Sequence, residues 1–221
     1  MPSRRRGPPP NSPAVRRMPV YLHWLLRMRE LGKRTVSTTE LADGLGIDWM
    51  AVRKDIALTG VCGRPRVGYN VDRLVAAIRA FLDWRETRAA ALFGTGPLGT
   101  AVLECGELDA CRLRIDAVFD PDPAKAGTEI LGHAVLPLSR LPAAFRERRP
   151  EIAILCVPAG TAQSVAELAV RHGVRCVWNF ASVALDLPAG VVVQNDTISA
   201  GYAMLSVKLR NARAGRRPID E

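Results

Sequence analysis

The stretch from Ala89 to Asp120 restricts the possible folds more than any other part of the chain. Ala89 to Phe93 is a short apolar run bounded by glycine, the pattern of a buried strand, and it feeds Gly94-Thr95-Gly96-Pro97-Leu98-Gly99. Helix-compatible sequence follows to about Gly106, and a second strand-like run, Leu113 to Phe119, ends at Asp120, 21 residues beyond Gly99. Glycines alone would fit any βα turn; the order strand, G-x-G-x-x-G, helix, strand, acid points to a dinucleotide site. There the first glycine permits the tight turn, the second lets the backbone reach a pyrophosphate, and the third lets helix and strand pack closely. The diphosphate then rests on a helix N-terminus, where free N–H groups and the dipole favour negative charge. An acid closing the second strand accepts hydrogen bonds from the adenosine ribose and repels a 2′-phosphate, so Asp120 argues for NAD(H) and against NADP(H).

Charge separates the two ends of the chain. Of the formal +9, residues 1–84 hold 15 Lys and Arg against 7 Asp and Glu, whereas residues 85–221 hold 16 against 15. The first segment therefore suits a polyanion, and the second is electrostatically ordinary. At 221 residues there is room for two small domains with their own cores. No apolar run approaches the roughly 18 residues of a membrane span. Met1 to Pro13 is basic and proline-rich without the apolar stretch of a signal peptide, so a disordered arm and a cytoplasmic location are expected. Cys62, Cys105, Cys111, Cys156 and Cys176 form no C-x-x-C pair and no Cys/His cluster, which indicates neither zinc nor a disulfide framework. Most are expected to be small buried hydrophobes.

Residues 14–84 read as a winged helix-turn-helix. Pro19 suits a first helical turn, and Val20, Tyr21, Trp24, Leu25, Met28 and Leu31 recur at helical spacing until Gly32. Ser37-Thr38-Thr39-Glu40 is a capping box, with Ser37 as N-cap and Glu40 reaching back, and it starts a short helix through Leu45. Gly46 turns the chain, and Asp48 caps a third helix, Trp49 to about Leu58, carrying Arg53 and Lys54. Two short helices across a glycine turn in a basic segment, about Tyr21 to Gly60, form a helix-turn-helix whose second helix reads DNA. A plain three-helix bundle with a solvated charged face has the same pattern up to this point. Gly60, Gly63, Pro65 and Gly68 then punctuate a segment holding Arg64 and Arg66 and ending at Tyr69, which predicts a β-hairpin wing presenting cations to a minor groove. Arg53 and Lys54 can donate to guanine edges or to phosphates, and the sequence leaves both open. A helix from about Val71 to Trp84 braces the domain.

Beyond Asp120 the βα alternation continues. Lys125 borders the adenosine side, Ile152 to Val157 is a strand ending in Val157-Pro158-Ala159, and a helix runs from about Thr161 to His172. Val174 to Trp178 is another strand, closing in Asn179-Phe180-Ala181, and Val191 to Val193 a third. Right-handed crossovers bring their C-terminal ends to the rim that holds the glycine turn. A last helix, about Ser199 to Ala214, carries Tyr202, Leu205 and Leu209 on one side and suits a partner subunit.

From about Met18 to Leu209 the chain resembles the bacterial redox-sensing transcriptional repressor family Rex. The resemblance rests on Arg53-Lys54-Asp55, Val67-Gly68-Tyr69-Asn70-Val71, Gly94 to Gly99, Phe119-Asp120-Pro121-Asp122-Pro123 with Lys125 and Gly127, Val157-Pro158-Ala159, and Asn179-Phe180-Ala181. It implies a homodimer with domain-swapped C-terminal helices that represses at a palindromic operator when NADH is scarce and releases DNA when NADH binds. It also implies a nucleotide site of Gly94, Thr95, Gly96, Pro97, Leu98, Gly99, Asp120, Lys125, Val157, Pro158, Ala159, Asn179, Phe180 and Ala181. The DNA-facing set would be Ser37, Arg53, Lys54, Asp55, Arg64, Arg66 and Tyr69. The chain departs from the family pattern at His23, Cys105, Asp196 and Thr197, which makes these the switch candidates, and in the wing at Cys62 and Arg64-Pro65-Arg66.

The expected architecture is α/β: a basic arm (1–13), a winged-helix domain (14–84), a Rossmann-like NAD(H)-binding domain (85–198), a dimerisation helix (199–214) and a tail (215–221). An NAD-dependent dehydrogenase would need a catalytic acid or base, and His23, His133 and His172 fall in no plausible catalytic pair. A repressor that answers thiol oxidation through Cys62 or Cys105, or one that holds nucleotide constitutively, is the other alternative.

Overall fold

The described residues of the computed structural model, 12–214, fall into two units. One holds the residues up to Thr87 together with Asp109–Arg112; the other holds Arg88–Leu108 and the residues from Leu113 onward. The expected arm and tail lie largely outside the described residues, although Pro13 belongs to the first helix.

In the first unit, α1 (Pro13–Glu30) is longer than its sequence pattern suggests. Pro13 takes the first-turn position expected of Pro19, and Pro19 lies inside the helix. An internal proline costs about 3 kcal/mol. Met18, Tyr21, Leu22 and Leu25 are fully buried along the same helix, at about 1.5–3 kcal/mol for each large apolar side chain, so burial outweighs the lost hydrogen bond. β1 (Thr35–Val36) precedes α2 (Thr38–Leu45), whose N-cap Ser37 accepts the Glu40 amide at 3.0 Å. Only half of the capping box forms, because the Glu40 carboxylate pairs with Lys33 instead of reaching back. α3 (Trp49–Leu58) follows the Gly46 turn with Asp48 as its cap, as expected. The wing is smaller than a full hairpin: a single antiparallel bridge joins Arg64 to Gly68, and β2 (Tyr69–Asn70) then pairs with β1. α4 (Val71–Phe81), capped by Asn70, packs Leu74, Val75 and Ile78 into the core built by α1, α2 and α3.

The second unit is a seven-stranded sheet in the order β5-β6-β4-β3-β7-β8-β9. β3 (Arg88–Phe93) leads into α5 (Pro97–Glu104) and, past the short α6 (Glu107–Ala110) whose last two residues count with the first unit, into β4 (Leu113–Asp120). β5 (Glu129–Ile130) and β6 (His133–Pro137) make an antiparallel edge, and α7 (Leu141–Arg148) leads to β7 (Ile152–Leu155). α8 (Ala159–Arg171), β8 (Cys176–Asn179), β9 (Val192–Asn195) and α9 (Ile198–Arg213) complete it. Every pairing from β6 through β9 is parallel. Such strands are covered on both faces and read as continuous apolar runs, as Ala90–Phe93 and Ala153–Leu155 do. Phe93 stacks on Phe119 at 5.2 Å between ring centroids, with Phe145 of α7 edge-on to both. The chain leaves β3 toward β4 on one side and returns to β7 on the other. In α/β folds such a reversal marks the place, at the carboxyl ends of the strands, where ligands bind.

Candidate functional site

The glycine turn sits at that reversal. Gly94 has φ 95°, and a Cβ on it would collide with the Cys156 carbonyl at the end of β7. A Cβ on Gly99 would collide with the Gly94 carbonyl itself. These two positions are glycine because the protein leaves no room. Gly96 differs: a Cβ there would meet nothing within 4 Å, so its bareness faces open space where a ligand backbone can approach. Pro97 starts α5 and no side chain caps it, and α8 likewise starts uncapped after Pro158. Two helix N-termini without side-chain caps therefore lie on this rim beside Val157, whose side chain lies against Gly94. These features fit a dinucleotide diphosphate.

Asp120 closes β4, buried, with its carboxylate already engaged. One oxygen accepts the Thr95 amide at 2.7 Å, the Thr95 hydroxyl at 2.6 Å and Lys125 Nζ at 3.1 Å; the other accepts the Asp122 amide at 2.9 Å. Burial alone would raise its pKa, but the Thr95 hydroxyl, the Asp122 and Thr95 amides and Lys125 together hold it below the usual carboxylate range. Asp120 thus fastens the glycine turn, and the Asp122-bonded oxygen keeps a lone pair for a ligand hydroxyl. Thr95 is a tether as much as a loop residue, which the glycine pattern did not disclose.

Asn179 is wholly buried and fully bonded. Its amide nitrogen donates to the Val183 carbonyl at 2.9 Å and to Asn195 Oδ1 at 2.8 Å, and its oxygen accepts the Ala181 amide at 3.0 Å. It positions the rim loop instead of presenting a free amide to a ligand. Phe180 packs on Trp178, 4.9 Å between centroids, and the Trp178 indole donates to Asp196 at 2.7 Å. Thr197 is the N-cap of α9, accepting the Ala200 amide at 3.3 Å. Among the other switch candidates, Cys105 is exposed at the end of α5, and His23 is exposed on α1 in the other unit. The expectation of buried cysteines is corrected: Cys62 and Cys105 are exposed and the remaining three are half-buried, because they fall in connecting loops or at element ends and not in strand centres. Burial pushes the Cys156 thiol up to about 11, which makes it a poor nucleophile.

In the first unit α3 turns Val52, Asp55 and Ile56 inward and leaves Trp49, Met50, Arg53 and Lys54 outside. Asp55, expected among the DNA-facing residues, is only 3% exposed. Its carboxylate receives Arg17 through Nε at 2.7 Å and Nη2 at 3.0 Å, and the Tyr21 hydroxyl at 2.7 Å. The reason is register: position 55 shares the helix face of Val52 and Ile56, while its neighbours 53 and 54 face out. Asp55 therefore holds the recognition helix against α1, a role that Arg17 and Tyr21, one turn apart on α1, could have signalled. The Asp55 hydrogen bond and charge hold the Arg17 guanidinium protonated, and burial followed by the Asp55 bond keeps the Tyr21 hydroxyl neutral. Ser37 spends its hydroxyl on the α2 cap, Tyr69 packs against Gly63, and Arg64 and Arg66 lie exposed on the turn that closes the wing.

A DNA-reading helix-turn-helix unit and a parallel-sheet nucleotide fold in one chain define a class, the ligand-responsive transcriptional regulators. Residues 10–57 match the family model described as "Putative DNA-binding protein N-terminus", and residues 85–183 match that of a CoA binding domain. A redox-sensing transcriptional repressor Rex from Treponema denticola is 39% identical over 205 residues, covering 92% of this chain and 97% of that relative. RSP, a Rex-family repressor, in its complex with β-NAD+ and operator DNA, superposes with a TM-score of 0.77 at 26% identity, covering 91% of this chain and 93% of RSP. RSP with β-NADH gives 0.75 at 26% identity, over 94% and 98%. The chain belongs to the Rex family of redox-sensing transcriptional repressors, and it is a regulator, not an enzyme.

Proposed function

We propose that this repressor binds a palindromic operator as a homodimer while NADH is scarce and leaves it when NADH binds. One observation carries the reading. The same chain pairs an outward Arg53 and Lys54 on α3 with an open glycine cradle tied down by Asp120 and Lys125, and it aligns along most of its length with a protein crystallised with operator DNA and β-NAD+ and, separately, with β-NADH. The nucleotide would lie along Gly94 to Gly99 and Val157 to Ala159, with its adenosine ribose at Asp120. The negative carboxylate there excludes a 2′-phosphate, so NADP(H) is not a ligand. Asn179, Phe180 and Ala181 shape the opposite end of the rim.

The dimer rests on α9, which has no buried residue in the chain taken alone; Ile198 is 84% exposed, and Tyr202 71%. A second copy covering that helix by exchange would remove the apolar stripe from water. Two recognition helices about one DNA turn apart then meet the half-sites. Arg64 and Arg66 supply wing contacts. Among the described residues no helix is long and apolar enough to cross a membrane, and its DNA target would put the protein in the cytoplasm.

Moving such a switch from almost fully bound to almost fully released needs about 5.5 kcal/mol of preference for the released form. Fluorescence anisotropy on a palindromic duplex, with NADH, NAD+ and NADPH added in turn, tests it. At saturation NADH should weaken binding by about 10⁴-fold and NADPH should do nothing; operator affinity indifferent to NADH would overturn the proposal. Exposed Cys62 and Cys105 support a second reading, a thiol-oxidation input, for which peroxide-sensitive DNA binding should vanish in Cys105→Ser.

A further inference from the structure

The outward face of α3 is two-toned. Its second turn carries the cations Arg53 and Lys54, but the turn before them carries Trp49 and Met50, each about half exposed at 47% and 48%. Trp49 stands four residues before Arg53 and Met50 four before Lys54, so the two pairs form adjacent stripes along one helix surface. The helix cannot rotate to bury the apolar pair, because Val52, Asp55 and Ile56 occupy its inward face and Asp55 is locked to Arg17 and Tyr21. Large apolar side chains are thus held in water at the part of a recognition helix that contacts base edges.

We propose that Trp49 and Met50 are specificity-determining residues that read thymine C5-methyl groups in the major groove. This rests on α3 being the recognition helix. The methyl is the one apolar group that a base pair shows there. Trp49, Met50 and Ala51 offer a single hydrogen-bond donor among them, the Trp49 indole N–H, so this turn is poorly equipped to read guanine or adenine acceptors. A phosphate is also a poor partner. Asp48 caps the turn, its Oδ1 accepting the Ala51 amide at 3.0 Å, and puts a carboxylate where a docking phosphate would otherwise find free amides. The division of labour is then positional: Arg53 and Lys54 supply charge and donors, and the preceding turn demands thymine.

The test begins by selecting the preferred duplex from a random pool with the full-length protein, then replacing each thymine singly by deoxyuridine, which removes only the methyl. At one or two thymines per half-site the replacement should weaken binding, by about fourfold for each methyl withdrawn from an apolar contact. The loss should disappear when Trp49→Ala and Met50→Ala are combined, leaving that variant equally fond of thymine and deoxyuridine. If the wild-type protein selects a defined sequence yet tolerates deoxyuridine everywhere, the methyl reading is overturned while α3 remains a recognition helix. A variant that keeps the full thymine preference overturns it as well. Selection of no defined sequence would overturn the operator-binding reading on which it stands.

Discussion

Replacing Asp55 with alanine removes the acceptor of three hydrogen bonds from beneath the recognition helix and leaves Arg17 and the buried Tyr21 hydroxyl facing each other without it. Breaking a buried ion pair by deleting one partner costs about 3–5 kcal/mol, mostly for the charge left behind. The Arg17 side chain keeps 22% of its surface in water, which places the expected loss near the lower end, about 3 kcal/mol. For a unit of this size each kcal/mol shifts the melting midpoint by about 4–8 °C, so the first unit should melt roughly 12–24 °C earlier. Thermal unfolding of the intact chain followed by tryptophan fluorescence can report the shift, and urea unfolding the free energy, since Trp24, Trp49 and Trp84 belong to that unit and only Trp178 to the other. The partner substitution sharpens the argument. Arg17→Met combined with Asp55→Leu takes away both charges together and should recover part of the lost stability, because an apolar pair of similar volume is often as stable as a buried salt bridge, while the Tyr21 hydroxyl still lacks its acceptor. An Asp55→Ala loss below about 1 kcal/mol, or strict additivity of the two sites, would refute the clamp.

Two further outcomes follow from the sheet unit. Gly96→Ala should fold like the parent, since a Cβ there meets nothing, and yet bind NADH weakly by calorimetry, whereas Gly99→Ala should lose stability as well because its Cβ meets the Gly94 carbonyl. Equal effects at the two positions would contradict the assignment of one glycine to ligand space and the other to packing. Asp120 has a folded-state pKa below its ordinary value, so its contribution is present above the ordinary aspartate range near pH ~3.9 and is lost as the pH falls through the lower folded value. Acid titration of the second unit by circular dichroism should therefore show destabilisation setting in below about pH 4, and Asp120→Asn should flatten that limb.

Much of the sheet unit was legible because buried parallel strands and a glycine turn leave strong marks. Ala89 to Phe93, the six glycine-turn residues and Asp120 all stand where their pattern put them. The same holds for α2 and α3, whose caps Ser37 and Asp48 are local chemistry. What was missed is short or depends on distant partners. β1 and β5 are two residues each, below the length at which alternation can be read, and α7 hides behind Pro142 and a run of charges. Pro19 misled because propensity is a local quantity, and the burial that overrides it comes from helices elsewhere in the unit. Asp55 misled because the family motif carries it together with Arg53 and Lys54, while its inward register is set by Val52 and Ile56 and sealed by residues nearly forty positions earlier. Asn179 carried no sign of its bonds to Val183 and Asn195, since an asparagine's partners are set only once the loop has closed.

The two bonds at the end of the sheet, Asn179 to Asn195 and Trp178 to Asp196, lie immediately before Thr197, where α9 begins. The root of α9, which has no buried residue, is therefore bonded to the end of β8 and the loop that follows it. Any tilt of that loop is passed on at a fulcrum only two residues wide and grows along the 16-residue arm. At about 1.5 Å per residue the arm is roughly 24 Å long, so a five-degree turn at its base carries the far tip by about 2 Å.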